Sequence, residues 1–360
     1  MFLFSTIVYL LTLEPTASLW DCGEYITAAY KLEVGHPPGA PFFMLIGRLF
    51  SFFAAPQNVA LLINTLSAIS SSLTILFMFW SLTILLKKMV LARKQDLSST
   101  DQGMIIISAT IASLAYTFSD SFWFSAVEGE VHAMASLFTA VIFWAGLKWD
   151  EEMSDGSTLK NDSLAANRWL ILILFLLGLA VGVHLLGILV VPAIAFILYF
   201  NQTPKPTLKG ILITGLLSVL ILGFIQEGVI PGSIALASWL EVKFVNSFGL
   251  PFFSGAITFF VLLVGGFYYA IRYAQQNQKT LLYNSLMGLA VLLIGYGSFA
   301  VIVIRSDANT PLDENDPENL VNLHSYLKRE QYGSAPLLKG PYWNSTPAEV
   351  GGDFSPTYVR

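Results

Sequence analysis

The sequence predicts an all-α polytopic membrane protein with about nine transmembrane helices and interfacial helices in its first outer loop. Three observations lead there. Charged residues make up 12% of the chain, against about 25% in soluble domains. Hydrophobic residues, 55% of the total, gather in long blocks and lift the mean hydropathy to +0.65; blocks of roughly 20 match the thickness of a bilayer core. Lys and Arg concentrate in every second connection between those blocks, the bias that orients membrane proteins. Soluble, disordered and collagen-like classes are excluded by this composition.

The blocks place spans at about 1–13, 58–86, 104–118, 132–148, 168–183, 186–200, 208–230, 252–271 and 281–304. Met1 to Leu13 is short and follows no basic residue, so it reads as a first span lacking its start rather than as a cleaved signal peptide. Arg168 to Phe200 is too long for one span, and His184 at its middle suggests a turn between two short helices. The connections after the second, fourth, sixth and eighth spans hold Lys87, Lys88, Arg93 and Lys94, then Lys148, Lys160 and Arg168, then Lys205 and Lys209, then Arg272 and Lys279. These connections should be cytoplasmic, because the short loops between them hold only Lys31, Arg48 and Lys243. An odd number of spans then leaves the tail from Arg305 outside.

The first outer loop, Glu14 to about Gln57, is too long for a plain connector. Its Cys22 to Val34 segment reads as a short interfacial helix that Gly35 stops. His36-Pro37-Pro38-Gly39-Ala40-Pro41 forces a stiff, extended turn, since proline fixes its own φ and restricts its neighbour. Phe42 to Ala54 reads as a second apolar helix at the membrane surface. Ser119 to Val131 reads as another outer loop, with Phe122, Trp123 and Phe124 as interfacial aromatics. The tail carries an acidic run, Asp313 to Asp316, and one helix, Pro317 to Gln331, and has too few apolar residues for its own core. The chain thus divides into a transmembrane module, 1–304, and an extracytoplasmic tail, 305–360, the start of a longer outer region.

Asp21 and Glu24 stand three apart at the outer end of the first span, a spacing that puts both carboxylates on one helix face. A carboxylate close to lipid is costly without a partner or a task. The same pair also fits a capping box at a helix start. His36, on its stiff turn, could orient an acid or bind phosphate, or simply hold a backbone carbonyl. Glu128, Glu130 and His132 face the same side, either toward a substrate or as a solvated loop. His184 is either a substrate contact or a buried ring satisfied by a neighbouring helix. Arg305 ends the last span as a snorkelling side chain or as a phosphate clamp. The single cysteine, Cys22, excludes an intramolecular disulfide and a Cys-rich zinc site. His36, His132, His184 and His324 are too scattered for a metal motif. Asp313 to Asp316 lack EF-hand spacing, although their oxygens could hold a divalent cation. No P-loop, nucleophile elbow or dinucleotide fingerprint occurs, and no basic stripe points to nucleic acid.

Several stretches together carry a resemblance. Glu14-Pro15-Thr16, Trp20 to Glu24 (WDCGE), Lys31 to Pro41 (KLEVGHPPGAP), Phe118 to Phe138, Gly182 to Leu186 (GVHLL) and Leu312 to Tyr332 resemble a multipass family of protein O-mannosyltransferase-like membrane proteins. The family sits within the GT-C glycosyltransferases, which use polyprenyl-phosphate sugars. The resemblance implies a hexosyl donor, mannose, on a polyprenyl phosphate, a Ser or Thr hydroxyl of an exported protein as acceptor, and no certain cofactor beyond a possible divalent metal. It implies a bacterial inner-membrane location with the active face periplasmic, in contact with membrane lipids. It makes Asp21 the essential acid of the first outer loop and Glu24 its companion. By that reading Asp21 takes the acceptor's proton in a single inverting displacement, and a cation such as Arg305, or a metal, steadies the departing phosphate. His36, Glu128, Glu130, His132 and His184 would then position substrate. A transporter, a transferase acting on a glycolipid and a non-catalytic scaffold are the rival classes; a carrier would place polar or broken helices near the midplane.

Overall fold

The computed structural model describes residues 1–154, 163–333, 347–350 and 356–358. Lys160 and most of the tail beyond Gly333 lie outside the described residues. In chain order the helices are α1 (Phe2–Leu11), α2 (Cys22–Lys31), α3 (Pro41–Ser51), α4 (Val59–Leu91), α5 (Ser99–Thr117), α6 (Asp120–Val127), α7 (Val131–Ser154) and α8 (Ser163–Val181). They continue as α9 (Val191–Gln202), α10 (Leu208–Gly223), α11 (Ile230–Phe248), α12 (Ser254–Gln276), α13 (Thr280–Tyr296), α14 (Ala300–Asp307) and α15 (Leu320–Lys328). A two-stranded antiparallel hairpin, Pro347–Val350 with Pro356–Tyr358, is a small addition to an all-α fold.

Six helical stretches are long and apolar enough to cross a membrane, and α5 with α6 makes a seventh if their 67° bend is one broken span. The first and fifth expected spans are also helices, but α1 and the Arg168–Val181 part of α8 are shorter. The expected break at His184 is present. Between α8 and a 3-10 turn, Leu185–Val190, the chain turns at Gly182 to His184 before continuing as α9.

Four expectations are corrected. Ser119 to Val131 is not a loop, because most of it forms α6, packed on α4 and α1 through Phe122 and Ala126. The span from Leu208 does not end near residue 230 but continues through a π turn, Phe224–Val229, into α11, which contains Lys243. Pro231 explains the wide turn: it has no N–H to give to the carbonyl four residues back, so the preceding ladder re-spaces. Gly35 does not stop α2, which ends with Leu32 in the left-handed region (φ 50°). The tail helix is shorter than expected and starts at Leu320, capped by the Asn319 side chain on Val321 and Asn322 N–H.

Polar contacts mark the two ends of the bundle. At one end Lys88 pairs with Asp150, Lys148 with Glu151 at 2.8 Å and Arg168 with Glu152 at 2.5 Å, and Asn201 donates to Asp150. The basic connections after α4, α7 and α9 therefore share one end. Between the ends the packing is close and mostly apolar, with small hydroxyl residues such as Ser70, Ser71, Ser72 and Ser81 buried on α4. α8 and α13 touch through Gly178 and Gly295, where a Cβ on either would collide with the facing backbone.

At the opposite end the first loop and the tail are one structure. Val34 bridges in parallel to Asp313, with Val34 N–H to Leu312 O at 3.0 Å and Glu314 N–H to Val34 O at 3.1 Å. Leu323, Tyr326 and Leu327 of α15 join the same buried cluster as Tyr25, Ala29, Phe43 and Met44. The fully buried Tyr326 hydroxyl donates to Gly35 O at 2.5 Å. Tyr326→Phe should therefore leave a buried carbonyl short of its donor and cost about 1–3 kcal/mol. Thermal unfolding of the purified protein in detergent checks this, and an unchanged midpoint would show that the contact does not hold the tail.

Candidate functional site

The site begins with α2. Trp20 is 84% exposed and has φ 63°, a strained value for a bulky residue. It turns the chain so that Asp21 stands at the start of the helix. Asp21 makes no side-chain cap bond, and Glu24 does not reach back to it, so the capping-box alternative is not realised. Glu24 instead reaches His36. It accepts the His36 backbone N–H at 2.6 Å and lies 3.0 and 3.1 Å from Nδ1 of the ring. This approach is why residue 35 is glycine: a Cβ there would run into the Glu24 carboxylate. The Gly39 N–H closes the turn on His36 O at 2.8 Å, across a cis Pro37-Pro38 bond. Tyr25 packs edge-on to the His36 ring and its hydroxyl lies 3.5 Å from Nε2.

Burial alone would raise the Glu24 carboxyl, but the ring and backbone N–H of His36 outweigh it and hold it below its ordinary 4.5. The Glu24 hydrogen bond outweighs burial at His36 and raises the ring above 6.5. Asp21, Glu24 and His36 each offer a ligand atom within 4.8 Å of the other two. Two carboxylates and an imidazole suit a divalent cation, so among the described residues this cluster is where a metal could be held.

The connection between α6 and α7 supplies the facing wall. Glu128 is not a solvated loop residue: it is 4% exposed and accepts a hydrogen bond from Ser18 Oγ at 2.6 Å, tying down the first loop. Asn64 of α4 does the same from below, donating to Glu14 O at 2.6 Å and Thr16 O at 2.9 Å. Glu130 lies 3.3 Å from Nε2 of His132. Burial raises its carboxyl, His132 and His36 oppose the rise, and Glu128 and Asp21 add to it, so Glu130 stands within electrostatic reach of the Asp21 cluster. His132 and His184 meet edge to face, 5.2 Å between ring centroids. Burial, then the charges of His132 and Arg329, push His184 down to about 4. Its Nδ1 accepts the Leu186 N–H at 3.1 Å, so the proton of the neutral ring sits on Nε2 as a donor.

Asp21, Glu24, His36, Glu128, Glu130, His132 and His184 thus come together at one end of the bundle. Arg305 does not join them as a phosphate clamp. Its guanidinium donates to Leu32 O at 2.6 Å and Lys31 O at 3.4 Å, satisfying carbonyls at the end of α2. Asp313 and Asp316 accept from Ser306 at 3.0 and 3.3 Å and belong to the tail's own packing. Two residues were missed. Asn64 reads in sequence as one polar residue in an apolar helix. Arg329 follows α15 with a left-handed φ of 56°, and its charge bears on both Tyr25 and His184; among the described residues it has no ion pair.

A family model described as the protein O-mannosyl-transferase TMEM260 N-terminal domain matches residues 21–207. The chain belongs to this family. The match begins at Asp21 and runs past His184, so it contains Asp21, Glu24, His36, Glu128, Glu130, His132 and His184 but not Arg329. A protein O-mannosyl-transferase tmem260 of Dictyostelium discoideum is 29% identical over 150 residues, 41% of this chain and 16% of the relative. A protein O-mannosyl-transferase TMEM260 of Mus musculus is 29% identical over 148 residues, 40% of this chain and 18% of the relative. The matched stretch therefore spans less than a fifth of either relative. No solved structure matches significantly.

The Glu24–His36 pair gives a pH test. His36 is raised above 6.5, so its contribution to stability is complete below pH 6.5 and is lost as pH rises through the raised value. Glu24 is depressed below 4.5, so its contribution is present above pH 4.5 and is lost as pH falls through the lowered value. The unfolding midpoint of the wild type should exceed that of Glu24→Gln most between pH 4.5 and 6.5, with a chelator present to keep the site metal-free. A pH-independent difference would show that the pair does not ionise as described.

Proposed function

We propose that this chain carries the catalytic membrane module of a protein O-mannosyltransferase. In this reading it moves mannose from a polyprenyl-phosphate donor to a Ser or Thr hydroxyl of an exported protein. The observation that carries it is Asp21: an exposed carboxylate, uncapped, held beside Glu24 and His36 at the end of the bundle away from the basic connections. The names of the relatives support the reaction class. The Lys and Arg bias supports a site on the non-cytoplasmic side, which in a bacterium is the periplasmic face of the inner membrane.

The step balances as a single displacement. The acceptor hydroxyl gives its proton to Asp21 as its oxygen bonds to the anomeric carbon. The bond from that carbon to the phosphate oxygen breaks, the electron pair leaves with the phosphate, and the anomeric centre inverts. Glu24, ionised and fixed by His36, keeps the acceptor side negative. Arg329 and the His132–His184 pair, which lie within electrostatic reach of one another, would meet the developing phosphate charge with a cation and donors. Arg329 takes the part that the sequence offered to Arg305. Ion pairs among the described residues lie at one end of the bundle or the other, which favours surface chemistry over transport through the midplane.

Asp21→Asn should lower transfer by about 100-fold or more while leaving the unfolding midpoint unchanged. Transfer at the wild-type rate would overturn the base assignment. The 4.8 Å cluster supports a second reading, in which Asp21, Glu24 and His36 hold a divalent cation that serves the phosphate. Chelation then abolishes transfer and added Mn²⁺ restores it, whereas the base reading expects the chelator to leave the rate unchanged. Arg329→Gln should lower kcat by about 100-fold, and Arg305→Gln should lower the unfolding midpoint with little change in kcat. Assaying both variants with a polyprenyl-phosphate mannose and an acceptor peptide separates the two arginines; equal losses of kcat would contradict the assignment.

A further inference from the structure

A cavity of about 700 Å³ lies at the other end of the bundle from Asp21, where α8 meets the hairpin of α12 and α13. Leu170, two residues past Arg168, places it at the end that carries the basic connections. α8 and α13 close on each other at Leu174 and Gly288, where a Cβ on the glycine would strike the leucine side chain. The cavity is the wedge between that contact and the basic end. Leu170, Ile171, Leu174 and Met287 make one side of it apolar. Gln275, Gln278, Thr280, Tyr283, Asn284 and Ser285 make the other side polar. A space of this size takes a small molecule or the head of a lipid.

Among the described residues, none of those six polar side chains makes a hydrogen bond to protein. Asn284 is the sharpest case. It is half-buried on a membrane-crossing helix, where an amide without a partner is costly. The cavity also lacks charge: among the described residues no Lys, Arg, Asp or Glu lines it. The basic side chains nearby in sequence are engaged elsewhere. Arg168 pairs with Glu152 at 2.5 Å, Lys279 donates to the Tyr273 hydroxyl at 2.8 Å, and Arg272 lies 5.5 Å from the centre of the Tyr268 ring. A phosphate here would lack a cation and an ammonium would lack an acid, so anionic and zwitterionic heads do not match. A quinone offers acceptors alone and a diacylglycerol a single hydroxyl, too few for this set of polar side chains. Amide and hydroxyl side chains both donate and accept, as the hydroxyls of a sugar do. The apolar side asks for hydrocarbon next to that head.

We infer that the wedge between α8 and the α12–α13 hairpin binds an uncharged glycolipid from the leaflet at the basic end. Its sugar hydroxyls meet Gln275, Gln278 and Asn284, and its first methylenes lie along Leu170 and Leu174. The wedge shares no residue with the Asp21 cluster and does not depend on the transferase reading. It is a binding site, and no bond is made or broken in it.

The test uses the whole chain in phosphatidylcholine nanodiscs, free of alkyl-glycoside detergent, and a monoglucosyl diacylglycerol with a photoreactive group in its acyl chain close to the head. Illumination should give adducts on α8 between Leu170 and Leu174 and on α13 at Met287. Asn284→Leu should cut labelling about tenfold, and Gln275→Leu should do the same if the first variant fails to fold. Leu262→Trp, on the exposed face of α12, should leave labelling unchanged. Unlabelled monoglucosyl diacylglycerol should displace the probe, and equal amounts of phosphatidylglycerol, phosphatidylethanolamine or diacylglycerol should not. Adducts elsewhere, unchanged labelling in a folded wedge variant, or displacement by any of those three lipids overturns the inference. Displacement by an equal amount of free glucose also overturns it, because the ligand would then be a soluble sugar rather than a lipid.

Discussion

The hydrogen bonds that Glu24 accepts from His36 are the contact on which the rest of the site depends. Through them a ten-residue helix and a proline-stiffened turn close on each other, with Gly35 giving the room. Without that closure Asp21 would sit on a frayed helix start. With it, Asp21 is the one member of the pair whose oxygens are not consumed by the fold. The cluster of negative charge is tolerated because it is only partly buried and because His36 shares it.

The closure is held from outside by the tail. Arg305 satisfies the end of α2, Val34 pairs with Asp313, and Tyr326 binds Gly35 O. It is held from beneath by Asn64 and Glu128, which fix the stretch from Glu14 to Ser18. Each is a polar group spent at short range on backbone or hydroxyl, so few are left for substrate. That sorting separates supports from candidates: Asp21 and Arg329 make no side-chain hydrogen bond or ion pair among the described residues, while Arg305 and Glu128 are engaged by Leu32 O, Lys31 O and Ser18.

Much of this was legible in the sequence. The apolar blocks gave the membrane helices because span length is set by bilayer thickness, and the break at His184 followed from a block too long for one crossing. The WDCGE and HPPG stretches marked the site, because acids near lipid need a reason to be there. What failed was whatever depended on partners distant in sequence. Arg305 had the right chemistry for phosphate, and only the fold shows that the carbonyls of Lys31 and Leu32 occupy it, some 273 residues away. Gly35 looked like a helix stop, but its small size serves a contact 11 positions upstream. Ser119 to Val131 reads as a loop because it is short and polar at its ends, and packing against α4 makes most of it helical. The π turn at Phe224–Val229 follows from Pro231, which local rules treat as a break rather than a widening.

The central claim is that the Asp21 carboxylate accepts the acceptor's proton. Chemical rescue measures this most directly. In Asp21→Gly the space beside Glu24 and His36 is vacated, and added formate should restore transfer in proportion to its concentration, with the same inverted product. Formate that rescues Glu24→Gly but not Asp21→Gly, or an Asp21→Gly variant that already transfers at the wild-type rate, would contradict it.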